Sequence, residues 1–201
     1  MRRLSAVDRF SSIPVVVKEN VAEHSFWVVL YSMMIHSEVS GPSEAIRDVL
    51  AFAAVHDLPE CLTGDVVRTF KYSSIAMRAA VDAAEAKLVE RLPKAILALY
   101  EAASAAAADL AQSPNGWYVN DVVKAADFLS LYQYMWRERM KGNREIDQFF
   151  LRMRRDVMTM RDTLFNRSAG AVGEKKRVLA ELALLYGCMA DDKFEQEFTT
   201  T

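Results

Sequence analysis

The sequence predicts an all-α fold, a globular bundle of about seven helices, and three observations carry that expectation. Glycine and proline are scarce, at 7 and 5 in 201 residues, while alanine, leucine and methionine are plentiful, a mix that favours helix over strand. Apolar residues recur at helical spacing through most of the chain. The breaks between those stretches carry turn and cap residues, as at Gly41-Pro42-Ser43, Thr63-Gly64-Asp65, Ser113-Pro114-Asn115-Gly116 and Lys141-Gly142-Asn143.

Taken in order, Ser11 to Lys18 is expected to be an extended arm crossing the helical body, although Val15-Val16-Val17 also suits a short strand. A first helix is expected from Val21 to about Val39. It is apolar nearly all round (Phe26, Trp27, Val29, Leu30, Met33, Met34), which predicts a central, buried helix. Ser43 is the expected cap of a second helix reaching about Val55. Pro59 predicts that this helix stops around His56-Asp57 and that a short new turn begins. Ser73 or Ser74 suits the cap of a helix to Arg91, and Pro93 closes it or opens the next, which contains the alanine-rich stretch Ala102 to Ala108. A long helix is expected from about Asn120 to Met140, two more over Glu145 to Phe165 and Gly173 to Cys188, then a loose polar tail from Asp191 to Thr201. No internal repeat and no linker rich in Gly, Ser or Pro divides the chain, so one domain over residues 1–201 is expected, with C-terminal helices over 144–190.

A chain that is 52% hydrophobic and 26% charged suits one full-sized core. The net charge of −2, from 25 basic and 27 acidic residues, argues against a nucleic-acid-binding surface over the whole molecule. A small anionic substrate would need local positive charge, from a metal ion or a few placed cations. Cys61 and Cys188 lie far apart with no CxxC, so neither a disulfide scaffold nor a thiolate zinc site is expected, and a reducing cytoplasm fits. Charged residues flank the start, Met1 to Asp8, unlike a signal peptide. The longest apolar run, Phe26 to Ile35, is interrupted by Ser32 and falls short of the roughly 20 residues that span a bilayer. A soluble intracellular protein with no membrane partner is expected. The arginine-rich stretch Arg137 to Arg155 is interleaved with Glu138, Glu145 and Asp156 and reads as a solvated helix face. Trp117, Trp136 and the methionines read as packing.

The chemistry is sought among three histidines. His24 opens the first helix, in Val21-Ala22-Glu23-His24-Ser25. His56 ends the second and is followed directly by Asp57. His36 sits late in the first helix, far from any acidic cluster, and reads as structural or exposed. Imidazole nitrogens and carboxylate oxygens together bind Zn, Mn, Fe, Co or Ni, and carboxylate-rich sets also accept Mg. A histidine from one helix, a His-Asp pair from the next and a further aspartate can converge inside a bundle. A lone buried histidine is more often a hydrogen-bonded core residue, and a bare His-Asp pair is common.

The longer string His56-Asp57-Leu58-Pro59-Glu60-Cys61-Leu62-Thr63-Gly64-Asp65 is more specific, and here the sequence resembles the HD-domain phosphohydrolases, within them the YfbR-like 5′-deoxynucleotidases. Arg9-Phe10 looks like that family's Arg-aromatic pair. Glu19-Asn20-Val21-Ala22-Glu23-His24-Ser25 is similar to its first histidine block, Phe70-Lys71-Tyr72 follows the His-Asp block, and Lys124-Ala125-Ala126-Asp127 resembles the block with its last aspartate. These ordered blocks span residues 9–127.

The resemblance implies an HD-type fold and one divalent ion (Co, Mn, Zn, Fe or Mg) held by His24, His56, Asp57 and Asp127. It implies catalytic roles for Glu60, handling a proton or orienting water, and for Asp65. It further implies substrate contacts from Arg9, Phe10, Lys71 and Lys124, and Arg68 would serve a longer phosphate chain. Asp121 rivals Asp127, but its place at Asn120-Asp121 suits a cap or first helical turn. Phe10 stands where a tryptophan is common, and Pro59 falls in a motif that usually lacks proline. The implied reaction is 5′-phosphoester cleavage, dNMP to deoxynucleoside and phosphate. Release of triphosphate from a dNTP, as in similar phage enzymes acting on dATP, is the alternative, and an inactive HD-fold binding module is the reading from another class. The resemblance also implies a homo-oligomer in a bacterial or phage-infected cytoplasm.

Overall fold

The computed structural model describes residues 2–66, 68–71, 73–108 and 115–190. Among them it is all-α. After a 3-10 turn, Arg2–Ala6, come α1 (Val21–Glu38), α2 (Ile46–Val55), α3 (Glu60–Thr63), α4 (Arg68–Lys71), α5 (Ile75–Val89), α6 (Lys94–Ala107), α7 (Gly116–Met140), α8 (Asp147–Ala169) and α9 (Gly173–Ala190). Seven of these run to ten residues or more, as expected, and the two short ones flank the loop after His56-Asp57. The tail from Asp191 and residues 113–114 of the expected loop lie outside the described residues.

Local chemistry explains most boundaries. Asn20 caps α1 by accepting the Glu23 N–H at 3.0 Å, while Glu23 accepts the Asn20 N–H at 3.1 Å, a reciprocal capping box. Ser74 caps α5 through the Met77 N–H. Pro59 precedes α3 and Pro93 precedes α6, each with the φ that proline fixes. Gly64 ends α3 at φ 75°, a conformation that any side chain would strain.

Three expectations and one alternative need correction. Ser43 is no cap: its hydroxyl reaches Glu44, a 3-10 turn covers Ser43–Ala45, and α2 starts only at Ile46. α7 starts at Gly116, ahead of the expected Asn120, because Trp117, Tyr118 and Val119 are buried and pull the first turn onto the core. The valines of the arm form no strand; Val15 packs on the core, and the backbone of the arm is held by side chains of α7. α1 is buried on one side only. Val21, His24, Val28, Tyr31, Ser32 and Ile35 face inward, but Phe26, Trp27, Met33 and Met34 keep 41–59% of their exposure.

α1 packs between α7 and α2, α6 packs on α2, and α8 and α9 form a paired layer against α7. One large cluster joins α1, α2, α7, α8 and α9, and a smaller one gathers Val55, Leu58 and Ala103 under the His56 turn. The start of α1, the end of α2 and the middle of α7 therefore meet against the core. No described helix is long and apolar enough to cross a membrane.

Candidate metal centre and active site

His24 sits in the first turn of α1, fully buried, its orientation set by the capping box before it. Its Nδ1 lies 3.0 Å from Ser130 Oγ on α7. His56 directly follows α2, and its Nδ1 lies 2.8 Å from the Ala53 carbonyl oxygen. A carbonyl only accepts, so this bond puts the proton on Nδ1 and leaves the Nε2 lone pair pointing into the site.

The two Nε2 atoms approach the carboxylates. His24 Nε2 is 3.0 Å from Asp127 Oδ1 and 3.4 Å from Asp57 Oδ2, and His56 Nε2 is 3.3 Å from Asp57 Oδ2. Donor atoms of His24, His56 and Asp57 all lie within 4.8 Å of one another. Both Nε2 atoms are buried and neither makes a hydrogen bond of proper geometry. Buried polar atoms are rarely left so, and a cation shared by nitrogens and carboxylates satisfies all of them. The residues fit a divalent ion.

Asp121, the rival, is not a helix-capping or first-turn acid. It is buried and paired with Arg167 at 2.8 Å.

Arg9 reaches the cluster from the N-terminal arm. The Asp8–Asn20 bridge and the bond from Arg9 N–H to the Glu19 carbonyl, 2.9 Å, tie the arm to the start of α1. Its guanidinium pairs with Glu19 at 2.9 Å. Burial alone would weaken that charge, but Asp127, Glu19 and Asp57 around it raise the pKa above its ordinary value. Burial likewise opposes the charge of Asp127, yet His24, His56 and Arg9 hold the carboxyl well below its usual range.

Glu60 opens α3. Its Oε2 is buried with no hydrogen-bond partner. Burial first, then the charges of Asp57, Asp65 and Asp127, push its pKa up to about 9 against the pull of Arg9. With no divalent ion bound, this group carries a proton at neutral pH. Asp65 accepts the Phe10 N–H at 3.0 Å, and Phe10 stacks on Tyr134 under the Arg9 guanidinium.

Lys71 is occupied elsewhere: Glu85 and Asp82 of α5 bind its ammonium at 2.9 and 3.2 Å. Lys124 is exposed one turn before Asp127 on α7. The side chain of Arg68 lies outside the described residues. His36, expected to be structural or exposed, bonds Tyr118 at 2.6 Å.

Sequence reading passed over several residues that build the site. Ser130 supports His24 and lies three residues after Asp127, a same-face spacing that could have found it. Glu19 holds Arg9. Glu138, read as part of a solvated face, is instead fully buried and accepts from the Val16 and Val17 N–H groups and from Asn143, at 2.7–2.8 Å. Tyr134 donates to the Val17 carbonyl and Asn143 to that of Pro14. Together they clamp the arm that delivers Arg9 and Phe10.

The sequence profile of the YfbR-like 5′-deoxynucleotidases matches residues 1–167. The chain belongs to this family. A 5′-deoxynucleotidase of Pasteurella multocida is 31% identical over 150 residues, covering 71% of this chain and 74% of the relative. The 5′-deoxynucleotidase YfbR of Salmonella arizonae is 30% identical over 154 residues, 72% and 73% of the two chains. The fold matches an HD-domain phosphohydrolase of Listeria innocua with a TM-score of 0.65, at 18% identity over 98% of this chain and 92% of that one. It also matches the cyanophage S-2L HD phosphohydrolase DatZ, whose structure holds dA and one catalytic Zn2+ ion. There the TM-score is 0.58 at 19% identity, over 97% and 94% of the chains.

Proposed function

We propose that this member of the YfbR-like family is a divalent-metal 5′-deoxynucleotidase that converts a dNMP to a deoxynucleoside and phosphate. The observation that carries the reading is the convergence of two buried, unpartnered imidazole Nε2 atoms with the carboxylates of Asp57 and Asp127. His24, His56, Asp57 and Asp127 would hold the ion. When bound, a divalent ion acidifies water and stabilises charge on the phosphoryl oxygens.

The protein's own groups divide the remaining work. Arg9, buried and strongly cationic, offsets the phosphate charge. Water oxygen bonds to phosphorus as the bond to O5′ breaks; Glu60, which opens α3 three residues after Asp57, would pass a proton to that departing oxygen, and the proton of the attacking water would leave with the phosphate or return to Glu60. Asp65 uses one oxygen on the Phe10 N–H and keeps the other to orient water. Phe10, covered by Arg9 and backed by Tyr134, borders the nucleoside. Lys71 and Lys124 would add positive charge at the rim, Lys71 only by leaving Glu85 and Asp82. With Lys71 so engaged, Arg9 is the cation at the cluster among the described side chains, which suits a monophosphate better than a triphosphate.

Assembly into a homo-oligomer, a cytoplasmic location and a single domain over residues 1–201 complete the proposal. Chelator-stripped protein would be reloaded with Co, Mn, Zn, Fe or Mg and given a panel of dNMPs and dNTPs. The reading expects metal-dependent release of phosphate and deoxynucleoside, lost in His24→Ala and Asp127→Ala. Release of triphosphate from dNTPs would reassign the substrate, and absence of both bound metal and product would leave a binding module.

A further inference from the structure

One helix holds both ring nitrogens of His24. Asp127 and Ser130 stand three residues apart on the same face of α7 and bracket the buried imidazole. Asp127 Oδ1 lies 3.0 Å from Nε2, and Ser130 Oγ lies 3.0 Å from Nδ1. His56 is held differently, because its Nδ1 meets the Ala53 carbonyl, which accepts and never donates. A serine hydroxyl does either, so the identity of this partner alone does not fix the tautomer of His24.

We propose that Ser130 is a positioning residue whose hydroxyl accepts the Nδ1 proton of His24 and so leaves Nε2 bare for the divalent ion. The inference rests on the reading of His24 as a metal ligand. The surroundings select this tautomer. A proton on Nε2 would lack an acceptor, since the atom is buried and neither Asp127 nor Asp57 meets it with hydrogen-bond geometry. A proton on Nδ1 has an acceptor in Ser130.

The hydroxyl's own hydrogen also has an outlet. Ser130 forms part of the wall of a cavity of about 180 Å3, together with Glu19, Tyr31 and Gln133. That space is large and polar enough for water, and the Glu19 carboxylate and Gln133 carboxamide on the same wall are acceptors. The Ser130 hydrogen is therefore not stranded when its oxygen accepts from His24. With both Nδ1 atoms protonated, His24 and His56 present two Nε2 lone pairs to one space, and an ion enters without displacing an imidazole proton.

The test uses the full chain without a histidine tag. It has 3 histidines, so an imidazole ¹⁵N–¹H correlation spectrum of the metal-free protein at pH 8 carries one spin system for each, and His36→Gln removes the one outside the site. Two-bond couplings are expected to show His24 and His56 both protonated on Nδ1. In Ser130→Ala the His24 proton should move in part to Nε2, while His56 keeps its pattern. Zinc affinity, read by competition with a chelator, should fall about ten- to a hundredfold. Ser130→Thr, whose added methyl has the neighbouring cavity to enter, should restore both readouts. Circular dichroism checks the fold of each variant, and the wild-type spectrum decides on its own should Ser130→Ala fail to fold. A wild-type His24 protonated on Nε2, or an unchanged zinc affinity in folded Ser130→Ala, would overturn the role of Ser130 without touching zinc binding by the wild type. A wild-type chain that binds no zinc would instead bring down the reading of His24 as a ligand, and this inference with it.

Discussion

Phe10 lies flat on Tyr134, their ring centroids 4.7 Å apart and their planes 5° from parallel. Phe10 adopts φ 58°, a left-handed conformation that a bulky side chain keeps only where its surroundings hold it. Three neighbours do so: Tyr134 beneath the ring, Arg9 above it at 5.0 Å, and Asp65 on its N–H. The stack thereby fixes where the Arg9 guanidinium stands.

Removing the ring under Phe10 should therefore loosen substrate binding more than turnover. Tyr134→Leu is expected to raise KM for a dNMP by about three- to tenfold, the range an aromatic pair is worth. Tyr134→Phe keeps the stack and loses only the bond to the Val17 carbonyl, at a stability cost of about 1 kcal/mol and with KM near wild type. Steady-state kinetics and urea melts on both variants check this. Equal KM in wild type and Tyr134→Leu would remove Tyr134 from any positioning role.

Glu60 gives a kinetic and a thermodynamic expectation. Glu60→Ala should lower kcat by about 10²–10⁴ while the bound metal stays stoichiometric, the signature of a lost proton donor. In metal-free protein its folded pKa near 9 exceeds the unfolded value near 4.5. The folded state therefore holds one more proton between those limits, and this group takes away stability as pH rises through them. Metal-free Glu60→Gln should gain on wild type in thermal melts between pH 5 and pH 8. A constant difference across that range would mean Glu60 is already ionised.

Helix number and most boundaries were legible because the breaks are chemical: Gly64, Gly142 and Gly173 occupy φ of 75°, 86° and 57°, and Pro59 and Pro93 precede new helices. His24, His56, Asp57 and Asp127 were marked through the resemblance, but their meeting depends on how α1 crosses α7, which local spacing does not encode. Glu138 was misread because its partners include backbone amides up to 122 residues away, which leave no pattern in side-chain types. α1 was misread for a different reason. An apolar pattern all round a helix does not tell which arc meets the chain's own core, and here the arc of Phe26, Trp27, Met33 and Met34 stays exposed.

Gly41 is a packing requirement. A Cβ there would overlap the Tyr118 hydroxyl and crowd His36 Nδ1, the two groups joined in a 2.6 Å hydrogen bond. Both sit at fixed positions, Tyr118 fully buried in the first turn of α7 and His36 late in α1. Gly41→Ala should cost about 1–3 kcal/mol, the range for overpacking, with the midpoint of urea unfolding as the readout. A neutral substitution would mean that the turn between α1 and α2 moves freely.

Glu138 should be the most sensitive residue outside the His-Asp cluster. Its carboxylate accepts the Val16 and Val17 N–H groups and the Asn143 amide, and it is fully buried. Glu138→Ala strands those donors and frees the arm that carries Arg9, so a loss of about 3 kcal/mol is expected, with KM rising as well. Burial raises its pKa, but the bonds from Asn143, Val16 and Val17 outweigh it and hold the group below its ordinary 4.5. Its contribution is thus complete above the unfolded pKa and fades as pH falls through the lower folded value. Acid unfolding of wild type below about pH 4.5 should consequently be steeper than that of Glu138→Gln, which cannot take up the proton. Parallel acid-denaturation curves would show that the clamp holds the arm without its charge.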